Sequence, residues 1–466
     1  EDFDLVETIG FGITDEEFFK QSMDYLEELD NIDDNPFYSF IITLTSHNPF
    51  KMPEEYQYLD IEDKHKNTLL GNYLQAVHYA DKALGQFFGY LKESGLYDNS
   101  VIALYGDHFG INSINKENVE LMTEYLGFDY DLDEMMKIPL IIHVPGEDFN
   151  ETISKVGSQL DFTPTILNIM GYENEKGIMF GRDLVNYEGP SLVAPQTYAL
   201  KGSVINDEIL IAMSRDGIFE NSRGFRLDNR EPINVMDYKE VHKRAISEIN
   251  KSNFILKGNL IKQMLEGNGE VDLSQITSTK ISIDETIKET DNTIEDLDKQ
   301  LEDEYTTLAV DLKMIDEEIF LGEDIPFEEL AKWLEKNENA YIIANAKENN
   351  KEIFTKIMKE HKALTPRIIP EIDDLGEHYS LAIIKYKNII LNIEEDKYTD
   401  EEILDFLERY ELLAVIMDKD KAKTELAKKI RGKGVLICEW YSRDGSRCIR
   451  HDTVRTVPIV SKKEAE

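Results

Sequence analysis

The run Ser100-Val101-Ile102-Ala103-Leu104-Tyr105 stops at Gly106-Asp107-His108-Phe109-Gly110, and this junction constrains the chain more than any other segment. Six apolar or β-favouring residues bounded by turn formers read as a buried strand. The strand delivers an adjacent carboxylate and imidazole into a loop bracketed by glycines. Open α/β sheets bind their ligands just beyond the carboxyl ends of strands. An Asp oxygen and a His nitrogen placed there can share one divalent cation. Taken alone, an Asp-His pair is more often an N-cap and a packed ring.

The rest of residues 1–265 alternates in the same way. Residues 15–29 repeat apolar positions at helical spacing after the Thr14/Asp15 start signal, and residues 38–44 form an apolar β-rich run. Residues 68–94 predict a long amphipathic helix with Leu70, Tyr73, Leu74, Val77, Ala80, Leu84, Phe87, Phe88 and Leu91 on one stripe. Strands at 101–105 and 139–144 and a short helix over 163–170, ended by Gly171, complete the pattern. Strands alternating with helices predict an α/β sandwich with a mainly parallel sheet.

These motifs resemble, in order, the extracytoplasmic catalytic domain of lipoteichoic acid synthases, a branch of the sulfatase and alkaline phosphatase superfamily. The resemblance rests on Gly12-Ile13-Thr14-Asp15-Glu16-Glu17-Phe18-Phe19, on Thr43-Leu44-Thr45-Ser46-His47-Asn48-Pro49-Phe50, and on Asn72-Tyr73-Leu74-Gln75-Ala76-Val77-His78-Tyr79-Ala80-Asp81. Tyr105-Gly106-Asp107-His108, Ile138-Pro139-Leu140-Ile141-Ile142-His143-Val144-Pro145-Gly146, Ser158-Gln159-Leu160-Asp161-Phe162-Thr163-Pro164-Thr165 and Phe180-Gly181-Arg182-Asp183-Leu184 continue it. It implies a truncated sulfatase/alkaline-phosphatase-like α/β sandwich. It also implies a metal-dependent phosphoglycerol transferase that builds polyglycerolphosphate from an anionic, phosphatidylglycerol-type lipid donor. Asp107 and His108 would hold Mn2+ or Mg2+, and His47 would contact the substrate phosphate.

At the end of the strand over 139–144, His143 is read as a second-shell or packing residue. In the resembled family a threonine nucleophile, which forms a covalent phospho-threonine intermediate, and a glutamate ligand lie on segments before the matched region. This sequence does not contain them. The expectation is a catalytic domain outside the membrane of a Gram-positive-type cell, tethered through segments missing here, and a fragment inactive alone. A sulfatase-like or phosphodiester hydrolase and a non-catalytic binding module are the alternatives.

Composition narrows the partners. A formal net charge of −42 argues against nucleic acid, since every phosphate would be repelled unless a cation neutralised it. Asp161 reads as an N-cap, Arg182 as a partner of Asp183 or other acids, and His78 as core or interface. His65, His242, His361, His378 and His451 carry no partner motif and default to solvent. Two cysteines, Cys438 and Cys448, fit either a cytosolic or a Gram-positive surface protein.

Residues 266–305 turn acidic and read as a linker, either thinly helical or a solvated tether. From Tyr341 onward five apolar strands alternate with helices at about 20–25 residues per βα unit, which predicts a partial (β/α) barrel over 306–466. It is expected to form an open layer docked loosely on the first domain. Ile325-Pro326-Phe327-Glu328-Glu329-Leu330, Tyr341-Ile342-Ile343-Ala344-Asn345-Ala346-Lys347 and Arg367-Ile368-Ile369-Pro370-Glu371-Ile372 resemble a glycerophosphodiester phosphodiesterase barrel. That family places a metal-binding acid where this chain has Asn345, so the barrel is expected to be non-catalytic or incomplete.

Overall fold

The computed structural model describes residues 7–172, 179–262, 286–393, 397–443 and 446–451. They form two compact units: Glu1–Ser154 with Ile169–Gly171, and Lys155–Asn168 with Tyr172–Glu466.

In the first unit, β1 (Thr8–Ile9) and β2 (Gly12–Ile13) form a short antiparallel pair ahead of α1 (Asp15–Ile32). The Thr14 side chain caps α1 by accepting from Glu17 N–H. Thr68 does the same for α2 (Leu69–Ser94), which stops at Gly95 in the left-handed region, φ 84°. Phe19, Met23 and Leu26 of α1 pack on Ala83, Phe87 and Leu91 of α2, with the Phe19 and Phe87 rings stacked at 4.5 Å. Each buried phenylalanine contributes about 1.5–3 kcal/mol. The buried stripe of α2 is rotated from the expected one, since Val77 is exposed and Ala76 and Tyr79 are buried.

β3 (Ile102–Tyr105), α3 (Lys116–Leu126), α4 (Leu132–Met136) and β4 (Leu140–His143) follow. Here two expectations are corrected. β3 and β4 pair antiparallel, Ile102 opposite His143 and Tyr105 opposite Leu140, rather than in a parallel sheet. Residues 38–44 form no strand and have no ladder partner, with Tyr38 83%, Phe40 60% and Ile42 57% exposed. Strand propensity becomes a strand only when a neighbour satisfies the backbone and covers a face.

The second unit begins with α5 (Phe162–Ile169) and the antiparallel sheet β5 (Val204–Ile205), β6 (Ile209–Ala212), β7 (Arg223–Arg226). α6 (Lys239–Lys257) covers that sheet through Ala245. Then a barrel forms from β8 (Thr286–Glu289), β9 (Thr307–Ile315), β12 (Tyr341–Asn345), β13 (Ile368–Ile372), β14 (Ile390–Asn392), β15 (Ala414–Met417), β16 (Leu436–Arg443) and β17 (Ser446–His451). β10 (Glu318–Leu321) and β11 (Ile325–Pro326) extend β9 as a hairpin. The ring runs β9, β12, β13, β14, β15, β16, β17, β8 and returns to β9, and only the two pairings of β17 are antiparallel.

Helices α7 (Ile294–Glu302), α8 (Phe327–Lys336), α9 (Asn350–Glu360), α10 (Leu375–Ile383), α11 (Asp400–Arg409) and α12 (Glu425–Gly432) wrap the ring. Ile287, Ile343, Ile369, Ile390, Ile416 and Cys438 form one buried cluster. Leu308, Ile342, Ile368 and Val415 bury against Leu330, Phe354 and Ile403 of the helices in another.

The barrel-like domain is therefore present, and it is closed rather than an open five-strand layer. The acidic linker expectation is corrected over 286–305, where β8 and α7 supply Ile287 and Leu297 to the two buried clusters; residues 266–285 lie outside the described residues. Within the second unit, α6 and the β6–β7 connection are tied to α11 of the barrel. The Arg409 guanidinium of α11 is 2% exposed, donates to Gly217 O, and lies 3.1 Å from Asp405; His242 Nε2 of α6 lies 3.5 Å from Asp405 on the other side. No helix among the described residues is long and apolar enough to cross a membrane.

Candidate active site

β3 ends at Tyr105, Gly106 N–H donates to Pro139 O at 3.1 Å beside β4, and the chain bends at Asp107 and His108. A Cβ on Gly106 would stand 3.1 Å from the Ile138 Cβ, which favours glycine at this turn. Asp107 and His108 follow, 79% and 62% exposed at their side chains, with Oδ1 and Nε2 3.8 Å apart. His108 Nδ1 lies 2.7 Å from Phe109 O. A carbonyl can only accept, so Nδ1 carries the hydrogen and Nε2 keeps its lone pair. Donors each about 2.1 Å from one ion can be at most roughly 4 Å apart, so this pair can share a hard cation. They are two donors of an incomplete set: no group of three or more His, Cys, Asp or Glu that could hold a metal gathers among the described residues.

His47 stands on a tight loop, with His47 N–H donating to Leu44 O and Phe50 N–H to His47 O. Its Nδ1 is 2.8 Å from Asn48 O, which by the same reasoning leaves Nε2 outward-capable, and the Phe11 ring meets the imidazole edge-on at 4.8 Å. Tyr73 of α2 joins this loop to the Asp107-His108 loop. Buried Phe50 packs edge-to-face on the Tyr73 ring at 5.0 Å, and a Cβ on Gly110 would fall 2.4 Å from the same ring. His47 is three residues from Phe50 and His108 two from Gly110, so both loops abut one side chain. Tyr73 is half-buried, and burial pushes its hydroxyl pKa up. In the sequence Tyr73 stands on an apolar stripe and in a family motif, and neither reveals that it touches both loops.

His143 does not belong to this site. It is opposite Ile102, at the far end of the β3–β4 pair, about 10 Å of strand from Tyr105. Its ring stacks on Tyr97 at 4.2 Å, which makes it a packing residue. Three histidines expected in solvent are buried: His65, His242 and His378. Arg182 turns from Asp183 to the carbonyls of Pro190 and Leu192, with Glu248 at 3.8 Å. Asp161 does not cap the helix that follows it: one oxygen reaches back to Ser158 N–H, in a capping box for the turn over 159–161, and the other takes Arg182 N–H at 2.7 Å.

In the barrel, Asn345 and Asn392 both donate to Glu371 Oε1, at 3.2 and 2.9 Å, at the carboxyl ends of three adjacent strands. Sequence reading singled out Asn345 and missed this amide–carboxylate–amide network, because its members are about 20–26 residues apart and meet only once the strands align.

The sulfatase family model matches residues 6–172. Over 259 residues the chain is 35% identical to the lipoteichoic acid synthase-like protein YvgJ of Bacillus subtilis, covering 54% of this chain and 39% of that protein. Residues 6–172 thus match the sulfatase family, within a longer stretch similar to lipoteichoic acid synthase-like proteins. Lipoteichoic acid synthase 1 of the same organism is 40% identical over 191 residues, 40% of this chain and 28% of the relative. The chain thus spans well under half the length of the curated relatives it matches. Among solved structures, the lipoteichoic acid synthase LtaP from Listeria monocytogenes is 29% identical, with a TM-score of 0.48 over 54% of this chain and 61% of that one. The sulfatase-family domain contains His47, Asp107 and His108.

Proposed function

We propose that the sulfatase-family domain is part of a metal-dependent phosphoglycerol transferase of lipoteichoic acid synthase type. It would take glycerol phosphate from an anionic glycerophospholipid and add it to a polyglycerolphosphate acceptor at the outer face of a cell membrane. The observation that carries this reading is the meeting of the His47 loop and the Asp107-His108 loop on Tyr73. Asp107 Oδ1 and His108 Nε2 would hold Mn2+ or Mg2+, which supplies charge neutralisation to a phosphoryl group. His47, once protonated, donates from Nε2 to a phosphate oxygen or to a departing alkoxide. Group transfer itself needs a nucleophile, which the family resemblance places on a segment outside this sequence.

Paramagnetic broadening by Mn2+ tests the site. His108 resonances in the 466-residue chain are expected to broaden first, and Asp107→Ala is expected to remove that selectivity. Broadening spread evenly over acidic surface, unchanged in Asp107→Ala, would defeat the metal assignment. Phosphoglycerol transfer is expected only from a longer polypeptide that carries the nucleophile; turnover by this chain alone, or release of the group to water, would replace the transferase reading.

A further inference from the structure

We propose that Asp15, latched to Thr45, is the positioning residue that sets where His47 stands. This rests on the reading of His47 as a phosphate contact. Asp15 opens α1 and is 1% exposed, an unusual place for a carboxylate. Its Oδ1 accepts the backbone N–H groups of Leu44 at 3.2 Å and Thr45 at 3.0 Å, and its own N–H donates to Thr45 Oγ1 at 2.9 Å. Three bonds thus tie the start of α1 to the two residues that lead into Ser46 and His47. Thr45 is itself 4% exposed, so the tie is sheltered from water.

The same segment reaches His47 a second time. Phe11 lies between β1 and β2, four residues before Asp15, and its ring edge meets the imidazole. His47 is therefore held by its backbone through Asp15 and by its ring through Phe11. An N-cap or a first-turn acid would explain a carboxylate at this position, but Thr14 already caps α1, and Asp15 spends Oδ1 on a loop 29 and 30 residues away. Burial pushes the carboxyl pKa up, opposed by the bonds from Thr45 and Leu44, so the group is retained against its own desolvation. A buried polar group kept in that way has a partner to serve, and here the partner is the His47 loop.

The test is NMR of the histidine rings in the 466-residue chain, with inorganic phosphate as the probe. In Asp15→Ala the His47 ring resonances are expected to leave the position set by Phe11, while those of His143, stacked on Tyr97, stay. Phosphate affinity read at His47 is expected to weaken roughly tenfold, a modest value for a displaced binding group. Asp15→Asn keeps an acceptor oxygen and is expected to restore both readouts, which a general loss of stability would not explain. Unmoved His47 resonances in folded Asp15→Ala would overturn the proposal. Should that variant fail to fold, Thr45→Val, which removes the reciprocal acceptor, decides: displaced His47 supports the latch and unmoved His47 overturns it. If wild-type His47 ignores phosphate, its role as a phosphate contact fails, and the ring positions alone still decide what Asp15 does.

Discussion

The sulfatase-family domain and the barrel are opposites. The first carries seven ordered motifs, yet its residues 7–154 contain only two-stranded sheets and leave Tyr38, Phe40, Ile42 and Ile141 exposed. The second carries motifs weak enough to lose a presumed ligand at Asn345, yet its eight strands close a ring, and β12, β13 and β15 bury most of their side chains. Motif strength reports which chemistry a segment descends from. Backbone pairing reports how much of the structure a segment can satisfy by itself. A chain can be rich in one and poor in the other.

Cavity-forming substitutions give the largest separation between the two. Phe354, in α9, is fully buried in the cluster between ring and helices, so Phe354→Ala is expected to cost roughly 3–5 kcal/mol. Phe40→Ala, at a side chain 60% exposed, is expected to stay within about 0.5 kcal/mol. Both tryptophans, Trp333 and Trp440, belong to the barrel, so denaturant melts followed by tryptophan fluorescence read Phe354→Ala, and melts followed by circular dichroism read Phe40→Ala. A large loss from Phe40→Ala would show that the run 38–44 is covered after all and would break the comparison.

How much was legible follows the same divide. β3, α2, the Asp107-His108 loop and five barrel strands could be read because each has its own periodicity. β8 and β17 could not, since Thr286-Ile287-Lys288-Glu289 and Ser446-Arg447-Cys448-Ile449-Arg450-His451 are polar strands whose role is to close the ring. The burial of His242 and His378 was equally hidden, because it depends on α6 and α11 or on Phe406 and Tyr410 arriving from elsewhere in the chain. In the site, the Asp-His pair was visible as adjacent letters. Tyr73 and Asp15 act across 23 to 37 residues of sequence, and only the fold shows whom they touch.

Acid should separate the regions less sharply than cavities do. His378 is buried between Phe406 and Tyr410, and desolvation, helped by the Arg409 charge, lowers its pKa from 6.5 to about 4. Between those values the unfolded chain binds a proton that the folded barrel refuses. Stability therefore falls as pH drops from about 6.5 toward 4, by up to about 3 kcal/mol. His378→Phe keeps an aromatic ring against the same neighbours and is expected to flatten the tryptophan-monitored profile in that window. An unchanged slope would assign the acid sensitivity to other groups.

The smallest effect tests the contact on which the two loops of the first region meet. A Cβ at Gly110 would fall 2.4 Å from Tyr73 Cε2 and 2.8 Å from its hydroxyl oxygen. The ring has little room to retreat, because buried Phe50 lies edge-to-face against it at 5.0 Å. Gly110→Ala is therefore expected to destabilise by roughly 1–3 kcal/mol through overpacking. Gly85→Ala, in the middle of α2 with no atom within 4 Å of the added Cβ, is expected to stabilise by about 0.5–1 kcal/mol. Adding Tyr73→Leu to Gly110→Ala should relieve the clash, so urea melts followed by circular dichroism are expected to show non-additivity of about 1 kcal/mol in the double variant. Additive losses would mean that Tyr73 does not clamp the two loops, and the convergence of His47 with Asp107 and His108 would then rest on nothing firmer than their exposed backbone.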